Sequence, residues 1–185
     1  MVRTSLWTVA LVFVLLGRGS AEAGSTADAV FKKGFIQCGV NTGLAGFSQP
    51  DINGEWRCID VNLCRAVAAA VFGDGRKVRY TLLTAQHRFT ALQSGEVDIL
   101  SRNTTWTITR DTSLGLNFVR VNFYDGQGFM VTKKRKVTSA TQLGGAAICV
   151  QPGTTTELNL ADYFRAKNMK FKPVVIEKLE EVLNA

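Results

Sequence analysis

From Phe35 onward the sequence alternates short apolar runs with single stretches of helical periodicity, and that alternation limits the fold more than any other feature. Residues 35–40, 78–83 and 97–101 read as strands. Between them, residues 60–72 and 87–94 read as helices. The longer one sets Leu63, Val67 and Val71 four residues apart on one face, with Asp60 as its cap. Strands separated by single helices imply a parallel sheet with right-handed crossovers, an α/β architecture. Residues 118–124 and 127–132 then read as strands entering a second region. There a short helix at 139–143 precedes a strand at 146–150, a helix from Thr156 to about Lys167, a strand at 171–176 and a helix from near Lys178.

The start of the chain has a different character. It carries an early Arg3, an apolar run from Leu6 to Leu16, and Ala21-Glu22-Ala23, a small-residue cleavage pattern. Residues 1–23 therefore read as a cleavable secretory signal peptide, too short in its apolar core to span a bilayer. A formal charge of +7 invites a nucleic-acid partner, but export places the protein away from one. The dense cluster Lys133-Lys134-Arg135-Lys136 reads as an exposed linker, so no nucleic acid is expected. Cys38, Cys58, Cys64 and Cys149 can pair in three ways in an exported protein. They lack the spacing of a zinc site, and no metal or cofactor is expected. Cys64 on a helix and Cys149 in a strand also read as small buried apolar residues.

The chemistry concentrates where the run Val97-Asp98-Ile99-Leu100 empties into Ser101-Arg102-Asn103-Thr104-Thr105-Trp106-Thr107-Ile108-Thr109-Arg110. Ligands of open α/β sheets sit beyond the carboxyl ends of strands. Hydroxyls and a guanidinium at that place suit a small anion, and Arg110 offers a planar fork for a carboxylate. Thr154-Thr155-Thr156-Glu157 fits a capping box, whose free N–H groups and helix dipole make a second carboxylate seat. The lone His87 reads as a helix-side surface residue. The Asn103-Thr104-Thr105 glycosylation sequon is read as accidental, given its place in the cradle.

Ser101–Arg110 resembles the strand-then-(G/S)-x-T-I-T-x-x-R segment of periplasmic amino-acid-binding proteins that serve ABC transporters. Thr105, Thr107 and Arg110 fall on the pattern, while Trp106 replaces the usual Ile and Asn103 the usual Gly or Ser. Cys38-Gly39-Val40-Asn41-Thr42-Gly43, Ile59-Asp60-Val61-Asn62-Leu63, the segment from Arg88 to Asp98, Tyr124-Asp125-Gly126-Gln127-Gly128 and the segment from Val150 to Glu157 match further landmarks in order. The likeness runs from about Gly34 to the end of the chain and is greatest for the general L-amino-acid-binding branch.

That resemblance implies a two-lobed periplasmic-binding-protein fold, type II-like. Residues 24–127 would form a nearly complete first lobe and residues 128–185 the crossover and a truncated second lobe. In such proteins the second lobe returns to the first and supplies an acid for the ligand's ammonium. The resemblance implies a ligand site at Asn103, Thr105, Arg110 and Thr155, with Asn41, Leu44 and Ala85 facing the ligand's side chain. It also implies that the partner of Cys149 lies beyond the C-terminus, and that Cys58 replaces a Gly. The expected function is capture of L-amino acids in the periplasm for delivery to an ABC permease, by a protein that is monomeric when full length. Two other classes remain open. An exported dehydratase-like enzyme of this fold would need an acid/base pair, for which Glu55, Asp60 and Asp98 are the candidates. A sensor ectodomain would need a membrane span or signalling domain.

Overall fold

The structure is a computed structural model that describes residues 24–185, so the signal-peptide reading of residues 1–23 lies outside the described residues. The chain divides into a leading unit ending at Lys33 and a second unit, Gly34–Ala185. Among the described residues the leading unit contributes one helix, α1 (Ser25–Lys33). Its acid lies in the first turn and its lysines in the last, the order the helix dipole favours.

The second unit opens with β1 (Ile36–Asn41), buried at every position but Gln37. A hairpin of two short strands follows, β2 (Gln49–Pro50) and β3 (Trp56–Arg57), and then α2 (Ile59–Phe72). Gly73 ends that helix at φ 70, a left-handed conformation in which its N–H reaches Ala69 O. Next come β4 (Val78–Leu83), α3 (Arg88–Gln93), β5 (Ile99–Leu100) and α4 (Ile108–Ser113). The strands form one parallel sheet in the order β4-β1-β5, with Ile36 opposite Val78, Asn41 opposite Leu83 and Cys38 opposite Ile99. The chain thus passes from β1 to a neighbour on one side and then to one on the other. β1 is central and covered on both faces, hence its burial. At its middle, a Cβ on Gly39 would stand 2.7 Å from Leu83 Cδ1 and 3.0 Å from Leu100 Cδ1, so both leucines close over the glycine.

Cys38 of β1 and Cys64 of α2 form a disulfide, and both are fully buried. Cys64 is therefore not the unpaired apolar residue its helix position suggests. Spacing alone does not say that this helix face meets the middle of β1. Cys58 and Cys149 are free. Asp60 is not the cap of α2 either. Cys58 holds that position without a side-chain bond, while Asp60 sits inside the first turn at 1% exposure.

Residues 118–124 and 127–132, expected as strands, carry no ladder. A strand exists only by exchanging N–H···O bonds with a neighbour, and none of the described residues pairs with these segments. Two 3₁₀ turns follow, Lys133–Arg135 and Ala140–Leu143, the first holding most of the basic cluster in an exposed position. Then come β6 (Ala147–Val150), α5 (Thr155–Ala166), β7 (Lys172–Val175) and α6 (Leu179–Asn184). β6 and β7 form a separate parallel pair. Leu143, Val150, Leu160 and Phe164 make its core, against which Phe129, Tyr163 and Phe171 pack. No helix among the described residues is long and apolar enough to cross a membrane.

Candidate functional site

The carboxyl ends of β1, β4 and β5 converge, as the strand order requires of a sheet whose connections reverse at its centre. Asn41 is the last residue of β1, Ala85 lies just past β4, and Ser101-Arg102-Asn103 follow β5. Asn41 Nδ2 donates to Asn103 Oδ1 at 2.8 Å, which ties two of these ends together. Arg102 joins the third. Its NH1 donates to Leu83 O at 2.7 Å, and its Nε and NH2 donate to Asn103 Oδ1 at 3.3 and 3.1 Å.

Arg102 is one of three guanidiniums gathered here. Arg110, in the first turn of α4, has its N–H held by the Thr107 hydroxyl at 3.2 Å, so the cap fixes where this side chain starts. Its NH1 donates to Thr105 O at 2.9 Å. Its guanidinium also lies 5.1 Å from the Phe89 ring centre, with that of Arg88 4.7 Å from the same ring. Burial, and then the Arg102 and Arg110 charges, push the Arg88 guanidinium down to about 9. Burial likewise pushes Arg102 down to about 10, with Asp60 opposing and Arg110 adding. Burial lowers Arg110 too. Arg88 and Arg102 stay charged at neutral pH, so the site is strongly cationic. The buried acid beside it is Asp60, which burial raises to about 6 against the pull of Arg102 and the Asn122 side chain.

The loop before α5 closes on this cluster. Gly153, at φ +71, turns its carbonyl so that it accepts from Arg88 NH2 at 3.0 Å and Arg110 NH2 at 3.3 Å. Its α-carbon side faces Ala85 O and Gln86 Cα. Thr155 Oγ1 meets Thr105 Oγ1 at 3.0 Å. Thr154 caps α5 by accepting from Glu157 N at 3.1 Å. Its expected reciprocal bond is displaced by one residue, since the Glu157 carboxylate accepts from Gly153 N at 2.9 Å. The acid thereby braces the glycine loop instead of closing a capping box.

Asn41 and Asn103 therefore share one hydrogen-bonded group with Arg102, while Thr105, Arg110 and Thr155 share a second, whose Arg110 charge is felt at Arg102. Ala85 is at the edge of the second but buried at 2% exposure, under the Gly153 loop. Leu44 stands apart. It lies in the loop after β1, bonded through its N–H to Ser48 O, and no hydrogen bond or ring contact joins it to the arginines. Sequence reasoning missed Arg88, Arg102 and Gly153. For Arg102 a signal existed, since it directly follows a strand end. His87 is exposed and lies 3.8 Å from Glu177.

The profile of the bacterial extracellular solute-binding proteins, family 3, matches residues 36–184. The chain is 63% identical over 169 residues to the general L-amino acid-binding periplasmic protein AapJ of Rhizobium johnstonii, covering 91% of this chain and 50% of that one. It is 58% identical to the glutamate/glutamine/aspartate/asparagine-binding protein BztA of Rhodobacter capsulatus, covering 91% and 49%. Among solved structures, a periplasmic binding protein from Brucella ovis with glutathione bound superposes with a TM-score of 0.82 at 62% identity, covering 88% of this chain and 51% of that one. The chain spans about half the length of the curated relatives it matches.

Proposed function

Since this chain belongs to the bacterial extracellular solute-binding proteins, family 3, we propose that it captures a free L-amino acid between two α/β lobes, residues 24–127 and 128–185, and delivers it to an ABC-type permease. Arg110 grips the α-carboxylate with the Thr105 hydroxyl and the N–H of Thr155 at the head of α5. Asn41 and Asn103 face the rest of the ligand, with Ala85 and Leu44 bordering it. Two carbonyls occupy two of the five N–H groups of Arg110, which leaves donors for a carboxylate. Residues 1–23 direct the protein to the periplasm, where it acts as a monomer at the full length of its relatives.

The observation that carries this reading is the pair of contacts joining the two sheets' loops at one guanidinium, Thr105 to Thr155 and Arg110 to Gly153. A ligand touching both sides favours the closed arrangement, and the permease reads that arrangement. Binding is favoured over catalysis because general acid–base chemistry needs an acid/base pair in the cleft, and the candidate carboxylates are engaged elsewhere. Glu55 pairs with Arg57 in the exposed hairpin, Asp98 accepts from Gln37 N beside β1, and Asp60 is buried.

Titration calorimetry with L-amino acids tests the clamp. Bonds to charged groups contribute about 1.5–3 kcal/mol each, so Arg110→Ala should weaken binding by roughly tenfold to a hundredfold per bond lost. Arg110→Lys should restore only part, since a point charge does not reproduce the fork. Unchanged affinity in Arg110→Ala would remove Arg110 from the site.

A further inference from the structure

We propose that Arg102 is a positioning residue that locks the Asn103 carboxamide with its NH2 toward the ligand, so that the site selects amino acids whose side chains end in an oxygen acceptor. The inference rests on the amino-acid-binding reading above and assigns part of its specificity.

The argument is one of hydrogen-bond direction. Asn103 Oδ1 accepts from Asn41 Nδ2 at 2.8 Å and from Arg102 Nε and NH2 at 3.3 and 3.1 Å. A guanidinium only donates, so the Arg102 side of this network runs one way. The Asn41 side is equally fixed. Its Oδ1 accepts from the backbone N–H of Gly43 at 3.1 Å, a group that cannot reverse, and from the Thr42 hydroxyl at 3.5 Å. Asn41 must therefore present its NH2 to Asn103. Turning the Asn103 amide over would set donors against donors at three contacts. Arg102 cannot follow, because it is 6% exposed and its NH1 is anchored on Leu83 O at 2.7 Å.

What remains of Asn103 is its NH2. The residue is exposed, and that nitrogen has no hydrogen-bond partner among the described residues. It sits two residues before Thr105, at the edge of the cationic cluster. A carboxylate or carboxamide oxygen satisfies it, an aliphatic side chain leaves it unmet, and an ammonium opposes it as well as the nearby guanidiniums.

The test is an NMR shift titration of the full chain with L-glutamate, L-glutamine, L-leucine and L-lysine. Wild type should bind the first two more tightly than the last two. Asn103→Asp, at an exposed position where folding is not at stake, should weaken glutamate by about tenfold or more while strengthening lysine. Arg102→Lys, which keeps the charge but loses the two-nitrogen hold, should bring the glutamine-to-leucine ratio toward unity, and Arg102→Gln should do so more fully. An equal loss for all four ligands in the Arg102 variants would show a structural role only and overturn the proposal. So would an Asn103→Asp protein that still prefers glutamate. A wild-type chain that binds none of the four removes the amino-acid reading and this inference together. Binding with unaltered ratios in every variant removes this inference alone.

Discussion

Cys58 holds a backbone conformation, φ 85 and ψ −173, that belongs almost solely to glycine. The resemblance already marks this position as one where relatives have Gly, and the dihedrals supply the reason. Strain there is about 1–3 kcal/mol, against which a glycine loses roughly 0.5–1 kcal/mol in chain entropy. Cys58→Gly should therefore stabilise the protein by about 1 kcal/mol. A urea midpoint that stays put or falls would contradict the strain. Asp60 gives a second residue-scale outcome. Its folded value near 6 lies above its ordinary 3.8, so the folded state holds the proton more tightly than the unfolded one. Stability should then fall as pH rises from about 4 to about 6 and level off above, by up to about 3 kcal/mol. Asp60→Asn should flatten that window when urea unfolding is compared at about pH 4.5 and about pH 7. A wild-type curve without the slope would mean the carboxylate is better solvated than its burial implies. Neither Asp60 nor Arg102 was legible as buried, because a charged residue at a helix start or strand end reads first as a cap or a turn. Only the fold shows that these two charges face each other out of water.

At the scale of elements, the strands and helices were legible wherever the period was clean and a partner was local. β4 spans the residues its alternation marks, and β1 and α2 shift by about one residue, within ordinary end variation. Residues 118–132 show why the rest was not. β propensity describes what fits a pleated surface, and a ladder also needs a neighbour that no local pattern encodes. The tie between β1 and α2 was equally invisible, since four cysteines do not declare their pairing. That disulfide closes a separation of 26 residues, which in the chain-entropy account is a stabilisation of about 3.5 kcal/mol. Cys38→Ala with Cys64→Ala should lower the urea midpoint accordingly. Reductant should act only after unfolding begins, because both sulfurs lie in fully buried residues. A midpoint unchanged in the double variant would mean that the packing of α2 on β1 suffices without the bridge.

For the molecule as a whole, that Thr105 and Thr155 belong together followed from the resemblance, but the atom on which the two sheets' loops converge did not. Other contacts cross there as well, Gln127 to Thr156 O and Asn159 to Gln127, each at 3.0 Å. Gly153 is different in kind. The carbonyl that Arg88 and Arg110 share is main chain, and its direction depends on the left-handed φ of +71 that glycine adopts without strain. The groups proposed to meet a ligand's side chain, Asn41 and Asn103 among them, are side chains and can be exchanged one at a time. On the proposed reading, ligand preference can change at Asn41 and Asn103 while the Gly153 contacts to Arg88 and Arg110 are kept. The change that would uncouple the two is a shift in the length of the loop that carries Gly153.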